Sequence, residues 1–271
     1  MNLAIIMPAA GASRRYSDAA VIEQGLEAGR SKLDEELGGR PVLQRTVELF
    51  TQLPEVSTII VAGPADPAAM AAFKDRYQDK LGLLGVRLCV GGATHRYETV
   101  RNALALVPES CTHVAVHDAA RPCTPPELIE RVLRAAEKYP AVIPAIDMPD
   151  TLKRVAARPI DDDAPDPLAA VLGAAHKGPP IRAIEATVDR ARLVAVQTPQ
   201  VFEVGLLRRA YAQTDLSSTD DAQLVERLGE RVVTVLGDAR NIKITLPGDL
   251  LLAQAIMGVR PPAERAAHLR F

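Results

Sequence analysis

Leu3-Ala4-Ile5-Ile6-Met7 runs without interruption into Pro8-Ala9-Ala10-Gly11-Ala12-Ser13-Arg14-Arg15. Five apolar residues in a row, continuous rather than alternating, read as a short strand buried on both faces. Buried strands of that kind belong to parallel sheets covered by helices. Four further runs repeat the pattern: Thr58–Ala62, Val86–Val90, His113–His117 and Ala141–Ile146. Between them lie helical segments, Pro41–Gln52, Pro67–Lys80, Tyr97–Leu106 and Pro125–Lys138. The β-α-β-α order predicts an α/β fold with a mostly parallel sheet and helices on both faces. In such sheets ligands bind beyond the carboxyl ends of the strands. The residues just after each strand are therefore the ones to read for chemistry.

After the first strand, Pro8, Ala9, Ala10 and Gly11 are small enough for the backbone to approach a ligand, and successive N–H groups can cradle an anion. Arg14 and Arg15 follow, and guanidinium forks suit phosphate oxygens. Lys32 lies at the far end of the same connection. A tight turn followed by solvated charges is the plainer reading. The segment matches neither the dinucleotide fingerprint nor the P-loop, which argues against a dehydrogenase and an ATPase of those types. After the third strand, Gly91-Gly92 can offer backbone groups to the edge of a base, and Thr99 can bond a ligand or cap a helix. After the fourth, His117-Asp118-Ala119-Ala120-Arg121 sets an acid beside a cation, suited to a polyol phosphate or to an internal ion pair. His113 and His117 share one strand face with no third ligand and read as structural, and Cys123 as a small buried apolar residue.

Composition narrows the field. The chain has 271 residues, 48% hydrophobic and 24% charged, with a net charge of −2, only 3% aromatics and no Trp. A nucleic-acid binder needs a net basic surface or a stacking platform, and neither is indicated. Cys89, Cys111 and Cys123 are too few and scattered for a disulfide scaffold, as suits a reducing compartment. No apolar run reaches the ~18–20 residues of a membrane span. Leu3–Met7 is too short for a signal peptide and lacks a basic flank, so a cytoplasmic enzyme is expected.

Two stretches interrupt the rhythm. Ser13–Arg40 reads as a long connection of mixed charge. Ala156–Pro180 is rich in proline and acids and lies between two strand-like segments, Thr151–Val155 and Ile181–Val188. That pair reads as a two-stranded arm, marginal alone and expected to pack on a second subunit. Beyond it, a strand at Leu193–Gln197, helices at Glu203–Gln213 and Thr219–Leu228, strands at Val232–Leu236 and Ile242–Thr245, and a helix at Pro247–Met257 are expected. The whole reads as one domain over 1–271, with an arm at about 147–192 and a frayed Pro- and Arg-rich tail from 258. Thr219 is a good helix cap, Arg190 reads as a solvated arm charge, and Lys243 either reaches outward or points into a site.

The order of these motifs is more specific than any one of them. Pro8-Ala9-Ala10-Gly11, Arg15, Lys32, Gly91-Gly92, Asp118-Ala119-Ala120-Arg121-Pro122, Asp150-Thr151 with Lys153, Thr187-Val188-Asp189-Arg190, Thr198-Pro199-Gln200, Thr219-Asp220 and Asn241-Ile242-Lys243 resemble the 2-C-methyl-D-erythritol 4-phosphate cytidylyltransferase family. The resemblance runs from about Leu3 to Ile256. It implies a Rossmann-like, three-layer nucleotidyltransferase fold with a β-arm that clasps a second subunit, and transfer of CMP from CTP to a methylerythritol phosphate. By the same resemblance, Pro8, Ala9, Ala10, Gly11, Gly91, Gly92, Thr99, Asp118 and Ala119 would hold CTP. Arg15 and Lys32 would stabilise the transition state. Asp118, Arg121, Thr198, Thr219 and Lys243 would position the polyol phosphate, with Thr151 and Arg190 supplied by a partner's arm. Arg190 and Lys243 join Arg15 and Lys32 in the catalytic set. Magnesium would bridge triphosphate oxygens, with Asp118 a further ligand to consider. The chain departs from the family in a longer Arg15–Lys32 connection, in Ser31 where a proline is usual, and in one extra residue between Gly92 and Arg96. Three rivals are a ribitol 5-phosphate cytidylyltransferase, a Rossmann oxidoreductase and a non-catalytic nucleotide-binding module. The second is disfavoured by the missing fingerprint and by the absence of an acid at the end of the second strand.

Overall fold

β1 (Leu3–Pro8) sends its side chains alternately into two cores, which is why its apolar run is unbroken. The computed structural model describes residues 1–24, 29, 31–160 and 181–259. Leu3, Ile5 and Met7 pack on one side with Phe50, Tyr77 and Leu128. Ala4 and Ile6 pack on the other with Val100, Phe202 and Leu207. All five β1 residues named here are fully buried.

β1 pairs in parallel with β2 (Val56–Gly63) through Ile5↔Ile59, and with β4 (His113–Val116) through Ile5↔Ala115. β3 (Val86–Val90) adds to β2 at the edge. On the other side of β4 lies β9 (Gln200–Glu203), antiparallel both to it and to β5 (Ala141–Asp147). β10 (Val233–Leu236) closes that edge, parallel to β5, giving the order β10-β5-β9-β4-β1-β2-β3. Residues of α1 (Arg14–Gln24), α2 (Val42–Glu48), α3 (Pro67–Gly82), α5 (Pro126–Ala136) and α8 (Pro247–Met257) enter the first core. Those of α4 (Arg96–Leu104), α6 (Val204–Tyr211) and α7 (Ala222–Arg227) enter the second. The result is the three-layer α/β arrangement that the strand–helix alternation predicts.

Three expectations need correction. Ser13–Arg40 is not simply a connection: α1 occupies its first part, with only Tyr16 and Ala20 of the described side chains in the core. So thin an apolar stripe leaves almost no periodic signal. Gln200–Glu203 is a central strand that the sequence reading passed over, because Pro199 immediately precedes it and it is four residues long. Ile242–Thr245 is not a strand. It is an irregular segment fixed by Ile244 N–H donating to Ala120 O at 2.9 Å, and by Asp249 Oδ2 accepting from Thr245 N at 2.7 Å and Leu246 N at 2.8 Å. The tail from residue 260 and most of the Ala156–Pro180 stretch lie outside the described residues.

The chain forms two compact units: Met1–Ile146 with the described residues from Val196 on, and Asp147–Ala195. The second corresponds to the arm. In it β6 (Leu152–Val155) runs antiparallel to β7 (Ile184–Val188), and Lys153 Nζ donates to Thr187 Oγ1 at 2.6 Å. A short β8 (Val194–Val196) leads the chain back to the first unit.

Candidate active site

The strand ends of the first unit surround one cavity of about 790 Å³, built from residues that follow β1, β3 and β4. Its first wall is the turn Pro8–Ser13 and the N-terminus of α1. Ala9 N–H donates to Ala62 O at 2.8 Å, which holds the turn to the sheet. Ser13 adopts φ +52° and its carbonyl accepts from Ser17 N at 2.9 Å, the first helical bond. The first-turn amides of such a helix have no preceding turn to bond, and its dipole favours an anion there. Arg14 and Arg15 line the cavity at this end. The helix in place of a loop therefore strengthens the anion-binding reading of this segment.

The second wall is the glycine segment before α4. A side chain on Gly91 would come within 2.6 Å of Gly63 O, and one on Gly92 within 2.2 Å of Glu98 Cβ. Both glycines are required by close backbone approach. Three of their backbone groups are engaged internally. Gly91 N–H donates to Gly63 O, Asn102 Nδ2 donates to Gly91 O at 3.0 Å, and Gly92 N–H donates to Thr99 Oγ1 at 3.0 Å. Thr99, 3% exposed, thus holds the segment's shape while its residue lines the cavity. Gly91 lies behind the wall. Glu98 Oε2 accepts from Thr94 N and His95 N and caps α4.

The floor is Asp118. Its Oδ2 sits 3.0 Å from Lys243 Nζ and 3.2 Å from Arg121 Nε, and its Oδ1 is 4.0 Å from Arg96 Nε. Burial opposes ionisation, yet Lys243, Arg96 and Arg121 together hold the carboxyl well below the usual carboxylate range. Thr198 Oγ1 accepts from Asp118 N at 3.0 Å and lies 3.2 Å from His117 Nδ1. Burial pushes His117 down to about 4, so the ring is neutral at physiological pH. Asn241 ties the floor together: its Nδ2 donates to Thr198 O at 2.8 Å, and its carbonyl accepts from Arg121 Nη1 at 2.6 Å.

Lys32 closes the third side. Its Nζ donates to Ile244 O at 2.7 Å. The neighbouring turn is clamped by Tyr77 Oη, which donates to Leu33 O at 2.9 Å and lies 2.5 Å from Asp34 Oδ1. Burial, with Lys243 and Arg15 nearby, lowers the ammonium to about 8, while Asp118 and Asp249 oppose the shift.

The structure thus gathers Pro8, Ala9, Ala10, Gly11, Arg15, Lys32, Gly92, Thr99, Asp118, Ala119 and Lys243 around one space. Arg121 and Thr198 do not line it; they hold Asp118 from behind. Thr219 does not cap α7, which begins three residues later. It is exposed, with its N–H and hydroxyl on Gln223 Oε1. Thr151 and Arg190 belong to the second unit, where Arg190 Nη1 donates to Met148 O and Pro149 O. Sequence reasoning missed Arg96, whose role depends on Asp221, a partner far away in the chain that no local pattern reveals.

A mostly parallel sheet with a cation-walled cavity beyond its strand ends, opening at a helix N-terminus, defines an α/β enzyme of the phosphoryl- or nucleotidyl-transferring class. Comparison narrows the class. The family model for 2-C-methyl-D-erythritol 4-phosphate cytidylyltransferase matches residues 3–166 and 162–259. A protein of that name from Frankia casuarinae is 38% identical over 266 residues, covering 98% of this chain and 85% of the relative. Another from Rhodococcus jostii is 39% identical, covering 90% and 93%. A crystal structure of the Thermus thermophilus enzyme of that name superposes with a TM-score of 0.66 at 31% identity, covering 96% of this chain and all of the other. A crystal structure of a 4-diphosphocytidyl-2C-methyl-D-erythritol synthase gives 0.69 at 30% identity, covering 94% and 98%. The chain belongs to the 2-C-methyl-D-erythritol 4-phosphate cytidylyltransferase family.

Proposed function

We propose that this protein transfers CMP from CTP to 2-C-methyl-D-erythritol 4-phosphate, releasing pyrophosphate and forming 4-diphosphocytidyl-2-C-methyl-D-erythritol, a step in isoprenoid precursor synthesis. The observation that carries the reading is the charge layout: among the described residues Arg14, Arg15, Lys32, Arg96 and Lys243 line the cavity against a single acid, Asp118. The relatives' names supply the two substrates. A phosphate oxygen of the polyol substrate attacks the α-phosphorus in line, and the bond to pyrophosphate breaks as the new P–O bond forms. The nucleophile is already an anion, so no strong base is needed. Two polyanions must meet, and catalysis is then positioning and charge stabilisation. Arg15 and Lys32, beside the α1 N-terminus and the floor, are placed to stabilise the charge that shifts onto the phosphoryl oxygens. Lys243 and Asp118 position the polyol phosphate, and Thr198 and Arg121 do so through Asp118.

Magnesium fits this site through the nucleotide. Asp118 is the one carboxylate lining the cavity among the described residues, and Lys243, Arg121 and Arg96 already engage it. A divalent ion would be carried by the triphosphate oxygens, where it would offset part of their charge.

The arm would dimerise the enzyme and deliver Thr151 and Arg190 to the partner's site. Exposed Val155 and Ile184, paired across β6 and β7, support that reading. Among the described residues no helix is long and apolar enough to cross a membrane. The three free cysteines suit a reducing compartment, and on that ground the reading is of a cytoplasmic enzyme.

The test is pyrophosphate release from CTP in the presence of magnesium, with methylerythritol 4-phosphate, ribitol 5-phosphate or neither, and with ATP as a control nucleotide. Turnover with the first polyol alone is the expected result. Preference for ribitol 5-phosphate, or CTP binding without turnover, would overturn the reading. Arg15→Ala should cost ~10²–10³ in turnover by analogy with the loss of one oxyanion donor.

A further inference from the structure

Arg96 is the first residue of α4, yet it reaches across to a different part of the fold. Its Nη2 lies 2.7 Å from Oδ2 of Asp221, a fully buried carboxylate just before α7. The other oxygen of Asp221 accepts from Tyr211 Oη, at the end of α6, at 2.5 Å. Asp221 is itself held in place because Gln200 of β9 donates to Asp220 Oδ2 at 2.7 Å and accepts from Ala222 N at 3.2 Å. On its other side Arg96 lines the cavity, with Nε 4.0 Å from Asp118 Oδ1. Arg121 and Lys243 both take Oδ2, so Arg96 is the cation that faces the remaining oxygen.

We infer that Arg96 is a positioning residue: locked by Asp221 and Tyr211, it sets the orientation of the Asp118 carboxylate and thereby the polyol-phosphate end of the site. The lock is one-sided by design of its chemistry. A fully buried carboxylate demands its partner, and the rigid planar guanidinium holds its Nη2 and Nε in fixed, separated directions, which the compact, rotatable ammonium of a lysine does not. Burial works against the charged form of Arg96, but the charge and hydrogen bond of Asp221, with Asp118 beyond, outweigh it and hold the guanidinium above its usual range. The inference rests on the proposed cytidylyltransferase reading, because it assigns Asp118 to the polyol phosphate.

The experiment compares Asp221→Asn, Arg96→Lys, their combination and Tyr211→Phe with the parent. Thermal melting is recorded, CTP affinity is measured by calorimetry, and steady-state kinetics are run with the polyol phosphate varied. Asp221→Asn and Arg96→Lys should each lower kcat/KM for the polyol phosphate ~10- to 100-fold, the cost of misplacing a group by about 1 Å. CTP affinity should stay within about 3-fold, and the double variant should be no worse than the poorer single, as expected of groups acting as one unit. Tyr211→Phe should produce a smaller loss in the same parameter. A folded Asp221→Asn with parental kcat/KM overturns the inference, as does a loss shared equally by both substrates and tracking the melting temperature. If Asp221→Asn does not fold, Arg96→Lys and Tyr211→Phe decide by the same criteria. A parent inactive on every polyol phosphate overturns the underlying reading as well; an active parent with indifferent variants overturns this inference alone.

Discussion

Lys32 is where burial and like charge act together on one side chain. Burial, Lys243 and Arg15 bring its ammonium down to about 8, so above that pH the free enzyme loses a cation its anionic nucleotide needs. The kcat/KM for CTP should therefore have an alkaline limb near pH 8 and fall about 10-fold per pH unit beyond it, since the effect follows the protonated fraction. Lys32→Arg keeps the charge and should move the limb upward; a pH profile of kcat/KM checks both. For stability the sign is opposite. The folded pKa is depressed, so between about 8 and 10.5 the unfolded chain binds more protons, and the contribution of Lys32 to stability rises with pH across that window. Arg15 and Asp118 were legible in the sequence because they follow strands at the end where a parallel sheet places its ligands, and Lys32 and Lys243 because the order of all four matches a known pattern. The roles of Thr198 and Arg121 were only half legible. Their residue types suggested substrate contacts; what the sequence did not show is that Thr198 bonds Asp118 from 80 residues away, and that Arg121, three residues from Asp118, is also anchored on Asn241 from 120 residues away.

At the scale of elements, the turn before α4 and the turn before α1 use glycine for different reasons. A Cβ on Gly92 would meet Glu98 Cβ at 2.2 Å and the backbone N of Thr99 at 2.8 Å, so the start of α4 would have to move. A Cβ on Gly11 meets nothing within 4 Å, because the open cavity lies there. Gly92→Ala should cost about 1–3 kcal/mol, the range for overpacking a tight site, with weaker CTP binding as well. Gly11→Ala should leave stability within about 0.5 kcal/mol and affect CTP binding only. Denaturant unfolding and CTP titration of both variants check this; equal destabilisation would be contrary to it. The elements themselves were legible wherever burial on both faces made a continuous apolar run, as in β1, β2, β4 and β5; the edge strand β3, only partly buried, was read from a run of similar length. They were illegible where tertiary contact substituted for local pattern. α1 carries a thin core stripe, β9 is four residues wedged after a proline, and Ile242–Thr245 looks like a strand but is held by isolated bonds to Ala120 and Asp249. The last case shows the ambiguity of short apolar runs: the same residues serve a ladder or a pinned irregular segment, and only the available partners decide.

For the whole molecule, the question is what covers the arm unit. The arm unit has one antiparallel strand pair, and its Val155, Ile181 and Ile184 are 44%, 62% and 64% exposed. Among the described residues these two strands carry exposed apolar side chains, and a strand pair is marginal alone, so a symmetric partner is the economical source of burial. If the arm of one subunit completes the cavity of the other, two inactive variants should rescue each other. Lys32→Ala disables the cavity of its own chain but carries an intact arm; Arg190→Ala has the converse defect. In a mixed dimer, one of the two sites combines the intact cavity of the second chain with the intact arm of the first. Random exchange at equal amounts makes about half the dimers mixed, each with one working site of two, so activity should recover to about a quarter of the parental value for a two-fold dimer. If Arg190 acts within its own chain, both sites of the mixed dimer are defective and no recovery follows. Charged substitutions at Val155 and Ile184 give the companion measurement. Analytical ultracentrifugation should then show monomers, and turnover should fall with the dimer fraction while the main unit remains folded by circular dichroism. Monomers with parental turnover would mean that each cavity is complete within one chain, and that the arm serves some purpose other than catalysis.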